Sequence, residues 1–181
     1  MLTKENVFTK YLEAIKIACT HHSLQKYGNN YYFAHLEAVE RILFEEGYAV
    51  TTIGILEKKL DAYRYVIDAW LHDILEDGCL SYNDLKKRFG KDIADDCYDM
   101  QEHKGKNRKE RKPPEYYINI GKNIYAGRVK IADRIANIEC STEKDLLEMY
   151  KKEQKEFSLI YDQNPEAFQR LWDRLEKSLT I

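Results

Sequence analysis

The stretch Val66-Ile67-Asp68-Ala69-Trp70-Leu71-His72-Asp73-Ile74-Leu75-Glu76-Asp77-Gly78 decides how this chain is read. Its apolar residues, Val66, Ile67, Ala69, Trp70, Leu71, Ile74 and Leu75, follow a helical pattern that leaves little of the surface for solvent. Within that pattern, four ionisable side chains occupy the six positions from His72 to Asp77. Gly78 reads as the residue that ends the helix. Three carboxylates therefore crowd the last turn, where the negative end of the macrodipole costs about 0.3–1 kcal/mol per group. Carboxylates held together also repel, which raises a pKa or calls for a counter-charge. One bound divalent cation removes both penalties.

Two distant elements supply further ligands. His35 falls in the first turn of a second helix, in phase with Val39 and Ile42, so it faces the core or a cavity. Asp133 lies in the apolar run Val129 to Ile138 and shares a helical face with Asn137. A buried Asp on such a helix needs a partner, because an unpaired buried charge is costly. Taken alone, His35 also suits a satisfied core histidine, and Asp133 an ion pair or a cap. Taken together, His35, His72, Asp73 and Asp133 form an N₂O₂ set. Imidazole suits Zn, Fe and Mn, and carboxylates shift the balance toward the harder metals. Such a metal activates water near neutral pH. Glu76, one turn after His72, is placed as a base or water-orienting group, and Asp77, one turn after Asp73, as the same or as a brace on a ligand.

Helical periodicity fills most of the chain around this core. A first helix carries Val7, Tyr11, Ala14, Ile15 and Ala18; a second runs from Leu36 to a stop at Gly47; a third runs from about Leu60 to Asp77. Ser81 and Asp84 have capping-box spacing for a fourth that ends at Gly90. Further helices read from about Asp92 to Glu102, Glu115 to Ile124 and Gly127 to Glu139. Thr142 caps a long eighth, and Asn164-Pro165 opens the last. No stretch alternates with period two, so the expected fold is all-α, a compact multi-helix bundle. One domain over residues 1–181 is expected, with the C-terminal helices 142–181 packing on the motif region.

Composition narrows the function. The 181 residues carry 29 Lys+Arg against 31 Asp+Glu, a net charge of −2 that offers no basic excess for a nucleic-acid duplex. No run reaches the 18 or so apolar residues that span a membrane. The N-terminus leads into an amphipathic helix rather than a signal peptide. Cys19, Cys79, Cys97 and Cys140 show no metal or CxxC spacing, and Cys19 and Cys140 read as small core residues. A cytoplasmic, reduced setting is expected. Asp92, Asp95, Asp96 and Asp99 read as a solvated acidic stripe, His21 and His22 as surface or helix-end residues, and Tyr116 and Tyr117 as core.

The order His35, His72-Asp73, Asp133 resembles the metal-dependent HD phosphohydrolase superfamily. More narrowly, His72 to Asp77 looks like the HDxxED box of RelA/SpoT-type alarmone hydrolases and their small single-domain relatives. Lys130-Ile131-Ala132-Asp133-Arg134 with Asn137 is similar to their K-L/I-A-D-R-x-x-N segment, and Tyr31 to Val39 to their P-Y-x-x-H-P-x-x-V segment. The resemblance covers about residues 14–149. It implies an all-helical HD domain binding one metal, manganese favoured over Zn²⁺, Fe²⁺, Co²⁺ or Ni²⁺, through His35, His72, Asp73 and Asp133. It further implies Glu76 and Asp77 in the hydrolytic step and Asn137 as a nucleotide contact. The implied reaction removes the 3′-pyrophosphate of guanosine tetra- or pentaphosphate.

Departures from that pattern bear on the substrate. Leu36 replaces the Pro after the first His, and the basic stretch that contacts nucleotide is thinned to Gln25-Lys26-Tyr27, leaving Lys26. Lys130 and Arg134, bracketing Asp133, are phosphate candidates. So are Lys109 and Arg111, in a basic loop from Lys104 to Lys112 that could fold over the metal. The expected partner is a nucleotide, with a homodimer as the assembly allowed for. The alternatives are another nucleotide on the same site (a 5′-nucleotidase or nucleoside triphosphate hydrolase) and a non-catalytic nucleotide-sensing or antitoxin-like partner.

Overall fold

A computed structural model describes residues 6–49, 60–140 and 144–180. The helices are α1 (Val7–His21), α2 (Tyr32–Glu45), α3 (Leu60–Leu71), α4 (Tyr82–Phe89), α5 (Lys91–Met100), α6 (Arg108–Arg111), α7 (Pro114–Lys122), α8 (Ile124–Glu139), α9 (Lys144–Tyr161) and α10 (Pro165–Ser178). The all-α expectation holds with one small addition. Lys26–Tyr27 (β1) and Asn30–Tyr31 (β2) pair antiparallel across a Gly28-Asn29 turn. A hairpin of two-residue strands is too short to show period-two alternation.

α8 is the axis of the molecule. Its side chains are buried almost all round, from Ala126 through Ile138, and α2, α3, α5, α7, α9 and α10 all pack against it. A helix buried on every side is hydrophobic all round, which makes Lys130, Asp133 and Arg134 on it exceptional. α1 lies on α3, α4 on α5, and α9 on α7. The α7–α9 contact is close because Gly121 has no side chain: a Cβ there would sit 2.5 Å from the Ile160 carbonyl oxygen. Among the described residues, no helix is long and apolar enough to cross a membrane.

Local signals behave as read at several ends. Ser81 and Asp84 form the reciprocal capping box of α4. Tyr116 and Tyr117 are core residues. Asn164 holds the N-cap position of α10 with Pro165 behind it, but its side chain donates to the Gly121 carbonyl oxygen at 2.7 Å instead of capping. Thr142 lies outside the described residues.

Four expectations are corrected. α3 ends at Leu71, not at Asp77, and residues 72–78 run on as consecutive turns. In that run His72 Nε2 and Asp73 Oδ2 lie 3.0 Å apart. The run still closes as a helix would. Gly78, at φ +69°, donates to Leu75 and Cys79 to Ile74, both at 3.2 Å, the paired bonds of a Schellman ending. The acidic stripe on α5 is not solvated throughout. Asp96 is fully buried, gripped by the Arg64 guanidinium and by Asn123 Nδ2 at 2.7 Å, and Asn123 also holds Asp99. Cys140 is exposed, and Cys97 is the fully buried cysteine. His22 is buried as well and touches the site described next.

Candidate metal centre

Three elements converge at the loosened end of α3. His35 comes from the first turn of α2, His72 and Asp73 from the turns after α3, and Asp133 from the middle of α8. Ligand atoms of His35, His72 and Asp73 all lie within 4.8 Å of one another. Asp133 Oδ1 is 3.1 Å from His35 Nε2 and 3.9 Å from His72 Nε2, and Asp73 Oδ2 is 3.0 Å from His72 Nε2.

The donor set fits a divalent cation. His72 Nδ1 sits 2.9 Å from the Ala69 carbonyl oxygen, which can only accept, so the proton belongs on Nδ1. Nε2 is left buried, without a hydrogen-bond partner, facing two carboxylate oxygens. A lone pair aimed at carboxylates is repulsive unless a positive charge lies between them. Without a metal, a proton takes that place. Burial pulls the His72 imidazole down, but Asp73 and then Asp133 outweigh it and set its pKa at about 9. Burial would also raise Asp73 and Asp133, yet both stay below the usual carboxylate range, Asp73 because of His72 and Asp133 because of Lys130, whose ammonium is 3.0 Å away. Imidazole nitrogen and carboxylate oxygen together suit the borderline and harder divalent ions.

A cleft of about 210 Å³ opens over this centre, lined by His35, Asp73, Asp133, Glu76, Asp77 and Asn137. Arg108, Lys112, Lys130 and Arg134 also line it, with Tyr27, Tyr32 and Tyr150. Metal-binding groups and cations sharing one small cleft suit a small, highly anionic ligand. Glu76 and Asp77 are both shifted upward, Glu76 by burial and then Glu102, Asp77 by burial and then Asp73, so each holds a proton more readily than a free acid. A larger groove of about 740 Å³ runs between α1 and α2 over Trp70, but it gathers no such constellation, and the chemistry belongs to the smaller cleft.

The cleft does not receive every residue expected of it. Lys109 is exposed and away from the lining, and Arg111 pairs with Glu102 at 2.8 Å. Their places are taken by Arg108, which pairs with Glu153 on α9, and by Lys112, which lies beside Glu102. In the turn of α6 the inward side chain is that of Arg108, held by Glu153 of α9, a partner that a run of basic residues does not disclose. Lys26 is also outside the lining: it is exposed and lies over the Tyr31 ring, 3.4 Å from its centre. Tyr27 reaches the cleft instead. Its ring stacks on His35 at 4.8 Å and its hydroxyl donates to Asn137 Oδ1. Asn137 Nδ2 in turn donates to Asp133 Oδ1 at 2.7 Å. Two further residues to which the sequence assigned no role in the site meet the acids directly. Tyr32 donates its hydroxyl to Asp73, and His22 Nδ1 lies 3.4 Å from Asp77 Oδ2.

No family model matches the chain. Over 132 residues it is 26% identical to the guanosine-3′,5′-bis(diphosphate) 3′-pyrophosphohydrolase MESH1 of Drosophila melanogaster, a match covering 71% of this chain and 68% of that protein. Among solved structures it superposes, with a TM-score of 0.67 and 22% identity, on a protein described as a metazoan ortholog of SpoT that hydrolyzes ppGpp and plays a role in starvation responses. That match covers 93% of this chain and 94% of the other. The chain resembles the RelA/SpoT-type HD-domain metal-dependent phosphohydrolases in sequence and shares their all-helical fold.

Proposed function

We propose that this protein is a divalent-metal-dependent phosphohydrolase that removes the 3′-pyrophosphate of guanosine tetra- or pentaphosphate, leaving GDP or GTP. The observation that carries the reading is the cluster of His35, His72 and Asp73, with Asp133 beside it, opening on a cleft whose walls also hold four cationic side chains. The relative in Drosophila bears the name of that activity. His35, His72, Asp73 and Asp133 would hold the metal, with Mn²⁺ favoured by the two carboxylates. When bound, the metal supplies Lewis acidity and brings water within reach of deprotonation near neutral pH.

The chain's own residues do the rest. Glu76 and Asp77, with their raised pKa values, take the proton from the attacking water and return one to the leaving oxygen. Arg108, Lys112 and Arg134 neutralise the diphosphate, acting in a cleft where charge is poorly screened. Lys130, paired with Asp133, fixes that carboxylate and adds to the positive field. Asn137, held on both sides, presents a fixed amide edge beside Tyr27 to the nucleoside.

A second reading, another phosphate ester on the same centre, draws on Tyr27, which brings an aromatic hydroxyl into the cleft while Lys26 lies outside it. Incubation with Mn²⁺ and either guanosine tetraphosphate or a nucleoside 5′-monophosphate, with products resolved, separates the two. Pyrophosphate released from the first substrate supports the proposal. Orthophosphate released from the second alone replaces it.

A further inference from the structure

His72, Asp73, Glu76 and Asp77 sit beyond the last regular turn of α3, in a run of turns tied by a few backbone bonds, among them Ile74 to Leu71 and Asp77 to Asp73 at 3.0 Å. Side chains on such a segment reach catalytic precision only if something else holds them. The holding groups come from the connection between α1 and α2. At one end of it, His22 is buried just past the end of α1, with Nδ1 2.7 Å from Gln25 Oε1 and 3.4 Å from Asp77 Oδ2. The Nδ1 hydrogen bond goes to Gln25, which fixes the ring, and the Asp77 carboxylate lies against that same edge at ion-pair distance. At the other end, Tyr32 opens α2 and donates its hydroxyl to Asp73. The two rings lie against each other, 4.7 Å between centres, and Tyr32 is 5.4 Å from His35. The hairpin β1–β2 closes the path between them, and the Tyr32 amide donates to the Gln25 carbonyl oxygen at 2.9 Å.

We infer that His22 and Tyr32 are positioning residues, two ends of one strap that aims Asp77 and Asp73 from outside their own segment. The inference rests on the phosphohydrolase reading above for the role of Asp77, and on the donor geometry alone for Asp73. It assigns different consequences to the two ends. Loss of the Tyr32 hydroxyl leaves Asp73 free to swing and weakens metal binding. Loss of the His22 ring leaves the metal in place but releases the carboxylate that handles the proton.

The test uses metal-stripped full-length protein in four forms: wild type, Tyr32→Phe, His22→Leu and His22→Gln. Each is titrated with Mn²⁺ by calorimetry, and its turnover of guanosine tetraphosphate is split into kcat and KM. Tyr32→Phe is expected to bind Mn²⁺ about tenfold more weakly, the range typical for an outer hydrogen-bond partner of a ligand, with an unchanged Tm. His22→Leu is expected to bind Mn²⁺ as wild type does and to keep KM, while kcat falls by about tenfold or more. His22→Gln, which restores a donor, recovers most of that kcat. Wild-type Mn²⁺ affinity in Tyr32→Phe overturns the brace on Asp73. Wild-type kcat in His22→Leu, or a His22→Gln no better than it, overturns the brace on Asp77. If His22→Leu does not fold, His22→Ala takes its place, and a wild-type kcat in it overturns the brace on Asp77. A wild type that binds Mn²⁺ but releases no pyrophosphate defeats the functional reading only, and the Tyr32→Phe titration then decides the inference.

Discussion

Asp68 and Asp96 face each other in the core, on α3 and α5, and only one of them has partners enough to carry a charge. Asp96 accepts from Arg64 and Asn123. Asp68 is fully buried, no described group donates to its oxygens, and burial followed by Asp96 raises it well above the usual carboxylate range. The sign of the effect on stability follows. With its folded pKa above its unfolded value, the contribution of Asp68 is fully present below the unfolded pKa, about 4, and is lost as pH rises through the folded one. Asn has the shape of the protonated acid and no charge to desolvate. Asp68→Asn is therefore expected to gain stability relative to wild type between pH 5 and pH 8 in urea unfolding. A constant difference between the two proteins across that interval contradicts the account. At the same scale, Arg108→Ala and Lys112→Ala are expected to raise KM for guanosine tetraphosphate by about tenfold, the loss of one charge-assisted contact. Lys109→Ala should leave KM unchanged, since Lys109 is exposed outside the cleft lining. Steady-state kinetics on the three variants distinguishes these side chains.

Among the elements, the most local signals were the most legible. Ser81 with Asp84 and the Gly78 ending act within four or five residues, so the sequence contains all the atoms they need. The loosening of α3 after Leu71 was not legible, because the residues there meet partners distant in sequence, His72 with Asp133 of α8 and Asp73 with Tyr32 of α2. The same holds for the inward turn of Asp96, which follows from Arg64 one helix away and from the Asn123 cap of α8. Close packing of α7 on α9 is a further case, decided by one missing Cβ. Gly121→Ala drives that atom into the Ile160 backbone, which has little room to yield in a packed core. A cost of roughly 1–3 kcal/mol is expected from overpacking of this kind, read as a lower urea midpoint with an unchanged slope. An unchanged midpoint shows that the two helices can part without cost.

Across the whole molecule, one buried helix gathers the site. α8 brings Lys130, Asp133, Arg134 and Asn137 to the same cleft that receives His35 from α2 and the acids from the end of α3. The sequence marked the acids and histidines because charged groups in apolar helices stand out against their surroundings. It did not mark His22, Tyr27 or Tyr32, whose places depend on how the α1–α2 connection folds back over the site, nor did it separate Arg108 and Lys112 from the other cations of their loop. The central claim is that four side chains from three elements hold one divalent ion on which hydrolysis depends. The direct measurement counts Mn²⁺ bound per chain in metal-stripped protein and follows pyrophosphate from guanosine tetraphosphate in the same sample, for wild type and Asp73→Ala. The account predicts one tightly held ion and pyrophosphate release in the wild type, and neither in the variant. An Asp73→Ala protein that holds the ion and releases pyrophosphate as the wild type does contradicts it.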